Sequence, residues 1–439
     1  MIVSVISLGC PKNLVDSEII LGYLAQNNYT LTLDWQNSDI CIINTCAFLK
    51  SAVKEAEQWI QKVITYKKKS KIKKVIIAGC LSQRYKDTLI DKFPEIDGVI
   101  GLDSLTEIVK VITDLSASDK NRLVKVLDKP TYLCNYQTPR LISTNHYAYL
   151  KIADGCDNFC TYCLIPSIRG RFRSRKIKDI VEESKNLSQI GIKEIILVAQ
   201  DTTLYGKDIY GELSLAKLLI NLVKIKDIKW LRVLYTHPAH WTDKLIQVYQ
   251  NNFRICRYVD LPLQHISDKI LKLMNRPYTR KQVEQLINKL RKIPNMAIRT
   301  SLIVGFPCET EKDFEQLLKF VQEQKFAHLG CFTYSREPGT IAYDLPNQIP
   351  EKVKKERRDL IMKTQQRISL ARMQSFIGKR IKVIVDNTTY HKTLARTEFD
   401  APEIDAVVEI KGKNLKPGDF VAVKIKDAQP YKLLAVLDK

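Results

Sequence analysis

The N-terminal part of the chain alternates short apolar runs with amphipathic stretches. Three apolar runs have the length and β-branched content of buried strands; they are Val3–Leu8, Asp39–Asn44 and Lys74–Ala78. Each is followed by a stretch whose apolar residues recur at helical spacing; these stretches are Leu14–Asn27, Ser51–Tyr66 and Ser82–Lys92. Because strands that alternate with helices at this spacing form βαβ units, residues 1–113 are predicted to fold as an open parallel α/β sheet.

A second alternating region lies beyond residues 114–146, a polar and irregular segment with Pro130 and Pro139 that is expected to be a linker. Its six strand-like runs are Tyr147–Ala153, Glu194–Ala199, Leu231–Thr236, Tyr258–Leu261, Ile298–Val304 and Leu329–Tyr334. Six βα units are two fewer than a closed eight-stranded barrel needs. Residues 147–376, which end in a basic helical stretch, are therefore predicted to form a partial (β/α)6 barrel with its chemistry at the C-terminal ends of the strands.

The last part of the chain, residues 377–439, has short alternating runs separated by Gly and Pro turns. These runs are Arg380–Val385, Asp405–Ile410, Asp419–Lys426 and Tyr431–Leu437. They predict a small antiparallel β-barrel. The whole chain is thus α/β with three domains, and its 439 residues exclude a disordered tail or a small disulfide-stapled module.

Charge adds a constraint on partners. The chain has 70 Lys and Arg against 48 Asp and Glu, a formal charge of +22. Such an excess favours a polyanionic partner such as RNA or an RNA–protein particle, or else it reflects solvated lysines in a Lys-, Ile- and Asn-rich chain. No window is apolar enough to span a membrane, and the N-terminus has no signal-peptide pattern, so a cytoplasmic protein without membrane contact is expected.

Eleven cysteines in such a chain are unlike a disulfide framework, because a reducing compartment keeps thiols free for metal binding or catalysis. Cys156, Cys160 and Cys163 form a C-x3-C-x2-C motif directly after the first barrel strand. Three thiolates on one loop can hold three irons of a 4Fe–4S cluster and leave the fourth open to a small molecule. A zinc site needs four protein ligands, and no second cysteine pair follows at zinc-finger spacing.

Three further cysteines share a topological position. Cys10, Cys46 and Cys80 each follow the end of a predicted parallel strand. Because the carboxyl ends of parallel strands open into one crevice, the three thiols either converge on a second cluster or are three separately buried residues. The other five cysteines show no such pattern, and two of them, Cys41 and Cys331, lie inside apolar strands as core residues.

With both cysteine sets, the chain resembles the radical S-adenosylmethionine (SAM) methylthiotransferases over nearly its full length. The segments that carry the resemblance, besides the cysteines, are Ser7–Glu18, Tyr147–Ile152, Ile165–Gly170, Gln200–Thr202, Pro262–His265 and Asp400–Asp405. The family has an N-terminal methylthiotransferase domain, a radical SAM partial barrel and a C-terminal TRAM barrel. The resemblance implies that Cys156, Cys160 and Cys163 hold the 4Fe–4S cluster that reduces SAM, and that Cys10, Cys46 and Cys80 hold an auxiliary 4Fe–4S cluster.

The substrate is suggested by the residues after Cys10. The tRNA-modifying relatives usually have Gln-Met-Asn where this chain has Pro11-Lys12-Asn13. The resemblance therefore favours the branch that adds a methylthio group to the β-carbon of an aspartate in small-subunit ribosomal protein S-twelve, within the ribosomal particle. The alternatives are a tRNA adenosine methylthiotransferase, which the positive charge would suit, and a non-catalytic Fe–S or RNA-binding module, which would not cleave SAM.

The remaining candidates concern cofactor contacts. Tyr162, beside the last cysteine of the loop, Gln200 and Asp201 at the second barrel strand, and Gly305 at the fifth are candidate SAM contacts. Loop packing, strand-end capping and a plain strand-ending glycine are the alternatives. A sulfur donor and an electron donor are implied as partners. No catalytic acid or base is assigned, because hydrogen-atom abstraction requires none.

Overall fold

The computed structural model describes residues 1–69, 72–117, 122–389, 392–411 and 415–438. Residues 118–121 of the expected linker lie outside these ranges, as do residues 390–391, 412–414 and 439 of the expected C-terminal barrel. No helix in the described part of the chain is both long and apolar enough to cross a membrane.

The N-terminal part forms a six-stranded sheet in which every neighbouring pair is parallel. Its strands are β1 (Ile2–Ser7), β2 (Thr30–Thr32), β3 (Ile40–Thr45), β4 (Lys74–Gly79), β5 (Gly98–Ile100) and β6 (Leu123–Lys125), in the order β2-β1-β3-β4-β5-β6. The three predicted strands are β1, β3 and β4. Strands β2, β5 and β6 were missed because each has only three residues and none lies in a recognised apolar run. Strand β6 extends the sheet into the expected linker.

Helices cover both faces of this sheet, which is why β3 and β4 are buried along almost their whole length rather than at alternate residues. They are α1 (Pro11–Gln26), α2 (Lys50–Lys67), α3 (Cys80–Tyr85), α4 (Thr88–Lys92) and α5 (Ile108–Ala117), with short 3-10 turns at Trp35–Asn37 and Asp103–Glu107. The single helix predicted at Ser82–Lys92 is two helices. Lys86 lies between them with φ 47°. The sequence has no glycine or proline here that would have predicted the break.

The central part has the six predicted parallel barrel strands in two groups of three. Its strands are β7 (Tyr147–Lys151), β8 (Ala153–Asp154), β9 (Arg173–Ser174), β10 (Glu194–Val198), β11 (Trp230–Val233), β12 (Tyr258–Asp260), β13 (Ala297–Val304) and β14 (His328–Thr333). The groups β7-β10-β11 and β12-β13-β14 are linked by a bridge between Leu231 and Ile255. The short antiparallel pair β8–β9 is an addition that flanks the cysteine loop.

The helices of the barrel occupy its outer side and continue into one long terminal helix. They are α6 (Ile165–Arg169), α7 (Ile177–Gln189), α8 (Lys207–Tyr210), α9 (Leu215–Leu222), α10 (Asp243–Asn251), α11 (Asp268–Leu273), α12 (Arg280–Arg291), α13 (Glu311–Gln324) and α14 (Glu351–Gln374), with 3-10 turns at Pro238–His240 and Ile341–Tyr343. The largest apolar cluster of the protein lies between these helices and the strands.

The C-terminal part is a closed five-stranded barrel. Its strands are β15 (Arg380–Thr388), β16 (Thr393–Thr397), β17 (Val407–Lys411), β18 (Phe420–Gln429) and β19 (Lys432–Leu437), in the ring order β15-β16-β17-β19-β18. Four neighbouring pairs are antiparallel as predicted, but β17 and β19 are parallel. Directions cannot alternate around a ring with an odd number of strands, so at least one parallel pair is unavoidable.

Helix α1 lies between the sheet and the barrel. Its apolar residues Val15 and Ile19 pack against Tyr149 and Ile196 of the barrel. Its polar residues on the other faces are buried too, and Glu18 binds Arg140 with an Oε2–Nη2 distance of 2.6 Å. The segment before β7 therefore wraps over α1 and fixes the two domains against each other.

The C-terminal barrel binds the opposite end of the central barrel from its cysteine loop. Glu194 at the start of β10 is fully buried between Arg232 (Nε–Oε1 2.8 Å) and Arg396 of β16 (Nη2–Oε2 2.5 Å). Burial raises the pKa of Glu194, but the two guanidinium groups outweigh it, so the net shift is downward. The interface is thus held by an ion cluster that depends on an ionised carboxylate.

Glu194→Gln is expected to cost about 3–5 kcal/mol of unfolding free energy, because it leaves two buried guanidinium groups short of their counter-charge. Since the folded-state pKa is the lower one, this contribution is present above the unfolded pKa of about 4.3 and is lost as pH falls through the folded value. Chemical denaturation at neutral pH measures the loss. The control is Glu182→Gln, which breaks a surface pair with Lys185 and should cost less than about 1 kcal/mol; equal losses would contradict the account.

Candidate functional site

One cavity of about 310 Å³ is lined by all six motif cysteines. Cys10, Cys46 and Cys80 reach it from the N-terminal sheet, and Cys156, Cys160 and Cys163 reach it from the mouth of the central barrel. The remaining five cysteines are not among its lining residues. Cys41 and Cys331, expected in the core, are buried. The structure therefore brings both predicted sets to one space between two domains.

Glycines before two of the N-terminal cysteines allow the strand ends to approach closely. Gly9 has φ 98°, and a Cβ there would lie 2.6 Å from the Cβ of Cys46. Gly79 has φ 90°, and a Cβ there would overlap the side chain of Asn44. Only glycine fits both the conformation and the space, so the sequence at these strand ends brings the three thiols together.

The barrel cysteines lie on a loop that folds back on itself. Gly155 precedes the loop with φ 78°, where a Cβ would overlap the carbonyl oxygen of Arg171. Within the loop, the backbone N–H of Cys163 donates to the carbonyl of Cys160 at 3.0 Å, and the N–H of Ile165 donates to Cys163 Sγ at 3.4 Å. The turn holds the thiols on the side that faces the cavity.

The protonation of these thiols fits ligands that need a metal. Burial raises the pKa of Cys80 to about 12 and that of Cys156 to about 11, and it also raises the pKa of Cys46. At Cys10 burial also raises the pKa, but Lys12, Arg169 and the N–H groups at the start of α1 lower it overall. Thiols with a raised pKa become thiolates when a metal ion compensates their negative charge. None of the described cysteines is in a disulfide, so all six are available as ligands. The donor set therefore fits iron–sulfur clusters.

A buried ion network lies beside the cavity and joins the two domains. Arg169 contacts Asp16 of α1 at 2.9 Å and Asp154 of β8 at 3.0 Å, and Lys151 of β7 pairs with the same two carboxylates. Arg169 Nη2 also lies 3.5 Å from Cys80 Sγ. A cation shared by both domains thus touches a ligand candidate. In the sequence, this network is indicated only by two charged residues, Lys151 and Asp154, in a segment of otherwise mostly apolar strand residues.

The cavity itself is electropositive. Its lining contains Lys12, Arg169 and Arg276 and, within the described residues, no carboxylate. Arg276 Nη1 lies 3.5 Å from Cys160 Sγ, and the Lys12 ammonium lies 3.3 Å from the ring centroid of Tyr235. Sequence reasoning did not assign Lys12 or Arg276 to the site, because the groups they contact come from segments far away in the chain.

The four candidate SAM contacts divide into two groups. Tyr162 and Gln200 line the cavity. The Nε2 of Gln200 donates to Asp154 at 2.8 Å, while its Oε1 is buried without a hydrogen-bond partner and is free to accept from a ligand. Asp201 and Gly305 are not among the lining residues.

The two candidates that do not line the cavity, Asp201 and Gly305, have local structural roles. The buried carboxylate of Asp201 accepts hydrogen bonds from Thr203 Oγ1 at 2.7 Å and from Asn158 Nδ2 at 2.9 Å. Gly305 has φ 71°, and a Cβ there would overlap the side chain of Lys354 on α14. Asp201 organises the turn after β10, and the glycine makes room for a lysine rather than for the cavity.

Three parts of the chain match known protein families. Residues 2–101 match uncharacterized protein family UPF0004, residues 150–321 match the Radical SAM superfamily, and residues 377–437 match the TRAM domain. Among solved structures, the radical S-adenosylmethionine methyltransferase TsrM from Kitasatospora setae aligns with a TM-score of 0.57 at 14% identity, covering 78% of this chain and 73% of that chain. At that identity the likeness concerns the fold alone.

Sequence relatives are much closer. The ribosomal protein uS12 methylthiotransferase RimO of Desulforamulus reducens is 47% identical over 441 residues, which cover 99% of this chain and 99% of the relative. The protein of the same name from Clostridioides difficile is 46% identical over 98% of this chain and 97% of its own length. With this identity over nearly its whole length, the chain belongs to the RimO family of ribosomal protein uS12 methylthiotransferases.

Proposed function

We propose that this radical SAM methylthiotransferase adds a methylthio group to the β-carbon of an aspartate in ribosomal protein uS12, and that it uses two 4Fe–4S clusters to do so. The superfamily match implies SAM and one 4Fe–4S cluster. The observation that carries the rest of the proposal is the single cavity onto which six cysteines from two domains open. A second triplet of thiols beside the first has no use in SAM cleavage alone.

Each cysteine triplet would hold one cluster. Cys156, Cys160 and Cys163 would hold the cluster at the barrel mouth, and Cys10, Cys46 and Cys80 would hold the auxiliary one. When bound, the two clusters and SAM supply an electron, a carbon radical, sulfur and a methyl group.

The protein's own groups orient and enclose these components. Gln200 offers a buried acceptor, and Tyr162 packs edge-on against Phe306 with ring centroids 6.4 Å apart. Arg169 and Arg276 place positive charge next to one thiol of each triplet, at Cys80 and Cys160. These cations would offset the negative charge that thiolate ligands bring into a buried site.

The contacts between the N-terminal and central domains would also confine the reaction to the cavity between them. The ion network of Arg169, Lys151, Asp16 and Asp154 is buried at the side of the cavity. It fixes α1, which begins at the auxiliary triplet, against the first strand of the barrel. A substrate side chain that enters the cavity therefore meets both triplets at once, which is the geometry that sulfur insertion at an unactivated carbon needs.

The test is a reaction with the natural substrate. Anaerobically reconstituted protein is incubated with SAM, a reductant and small ribosomal subunits that lack the modification. The peptide of uS12 that carries the target aspartate is expected to gain the mass of one methylthio group in place of a hydrogen. Bulk tRNA in a parallel reaction serves as the control and should remain unchanged. A methylthio group on tRNA adenosine with none on uS12 would refute the proposed substrate.

A further inference from the structure

Lys12 is a buried cation without a carboxylate partner among the described residues, and the acidic group that interacts with it most is the thiol of Cys10, two residues earlier. The residue is 8% exposed, and its ammonium donates to the carbonyl of Ala199 at 3.4 Å and lies over the ring of Tyr235. No carboxylate in the described part of the chain pairs with it. A buried ammonium is costly unless something compensates its charge, and one backbone carbonyl with one aromatic ring does so only in part.

The other two cations of the cavity differ from Lys12. Arg169 is paired with two carboxylates. Arg276 pairs with no carboxylate in the described ranges, but its guanidinium donates to Tyr278 Oη at 2.7 Å, to the carbonyl of Pro262 at 2.8 Å and to Cys160 Sγ at 3.5 Å. An ammonium has three N–H donors, and among the residues that the structure describes only one of those of Lys12 has an oxygen acceptor. Lys12 is thus the lining cation with free capacity for an anion.

The position of Lys12 is fixed by the fold. It lies two residues after Cys10, in the first turn of α1, and points across the cavity to the ends of β10 and β11. Tyr235, which supports it, has a left-handed backbone with φ 58°, and its N–H donates to Asp260 Oδ2 at 2.8 Å. A large side chain in this conformation is unfavourable and is tolerated where the surroundings enforce it, commonly at binding sites.

We propose that Lys12 binds the carboxylate of the substrate aspartate and so selects an acidic side chain; this inference rests on the proposed function. The ammonium lines the cavity at the ends of β10 and β11, two residues after a cysteine of the auxiliary triplet, where a side chain that enters the cavity can reach it. An anion there completes the coordination of Lys12, whereas a neutral group such as asparagine or an adenine ring leaves a buried charge unpaired. Discrimination therefore arises from the penalty on the wrong substrate as well as from attraction of the right one.

The experiment compares two substrates on three enzymes by binding, without turnover. Unmodified uS12 and a variant with asparagine at the target position are titrated against reconstituted wild type, Lys12→Gln and Lys12→Arg, with fluorescence anisotropy as the measurement. Wild type is expected to bind the aspartate form about 10- to 100-fold more tightly, the range for a charge-assisted hydrogen bond. Lys12→Gln should bind both forms alike, and Lys12→Arg should retain most of the preference.

Arg276→Gln is the matched control, because it removes the other carboxylate-free cation of the same cavity. It should leave the aspartate-to-asparagine ratio at the wild-type value. Iron content and the affinity for SAM are measured on every variant, and both should be unchanged in Lys12→Arg, which keeps the positive charge beside Cys10. Loss of either in proportion to substrate binding would mean that Lys12 serves the cofactors, and the proposal would be overturned.

Failure of this inference is distinguishable from failure of the proposed function. If wild type forms no methylthio product on uS12, the proposed function itself is wrong. If wild type forms the product while Lys12→Gln keeps the full preference for the aspartate form, only the assignment of Lys12 is wrong.

Discussion

Replacing Cys160 by alanine is expected to abolish formation of 5′-deoxyadenosine from SAM. The substitution leaves two thiols on a loop that needs three, and the nearby cation of Arg276 loses its sulfur partner. Iron content should fall by about four atoms per chain, because the auxiliary triplet is on a different domain and keeps its ligands. Methylthiolation of uS12 should be lost with the radical.

Cys308→Ala is the control for Cys160→Ala. Cys308 lies at a barrel-strand end, as the cysteine loop does, but it is not among the residues that line the cavity. The control should keep full iron content and full 5′-deoxyadenosine formation. Undiminished SAM cleavage by Cys160→Ala would show that this loop does not hold the radical-generating cluster.

The second large effect is expected for Cys46→Ala, which should abolish methylthiolation of uS12 but leave reductive cleavage of SAM intact. The barrel triplet is intact in this variant, so reductive cleavage of SAM should continue, while about four irons are lost and no methylthio product forms. The measurement pairs chromatography of 5′-deoxyadenosine with mass spectrometry of uS12 from the same reaction. The expected result is a drop of at least 100-fold in product with SAM cleavage within about tenfold of wild type, since chemistry at one site does not need the other site's ligands.

Cys41→Ala provides the matched control on the same strand. Cys41 is fully buried in β3, so its loss perturbs packing without touching the cavity. It should cost stability but retain methylthiolation. If Cys46→Ala and Cys41→Ala behave alike in both assays, Cys46 is a core residue and not a ligand.

Periodicity was enough to predict the three-part architecture, but not how the parts meet. The strands β1, β3 and β4 and the six parallel barrel strands lie in mostly apolar runs, and the spacing of these runs predicts parallel topology. The short strands β2, β5 and β6 and the break at Lys86 depend on tertiary contacts, which no local pattern records. The parallel pair in the C-terminal barrel follows from ring closure, a global property.

The candidate site, too, was predictable from the sequence only in part. The cysteine positions were predictable because strand ends in an open sheet share one edge, and glycines at positions 9, 79 and 155 are visible beside them. The charged groups were not, because each pairs across domains. Arg169 and Arg175, for example, are buried in ion pairs with carboxylates of α1, β8 and α7.

The structure also changes how the excess of positive charge is interpreted. The net charge of +22 suggested nucleic acid, and the structure places three of the cations, Lys12, Arg169 and Arg276, in the lining of the cavity. The C-terminal barrel contacts the starts of the central strands through Glu194 and its partners, away from the cysteine loop, and contributes no lining residue among those described.

Two clusters that open onto one cavity should be visible in iron analysis and Mössbauer spectra of anaerobically reconstituted wild-type protein, recorded with and without SAM. The expected result is about eight irons per chain in two 4Fe–4S populations, with Cys160→Ala and Cys46→Ala each losing a different one. A preparation with one cluster per chain that still methylthiolates uS12 at the full rate would contradict it.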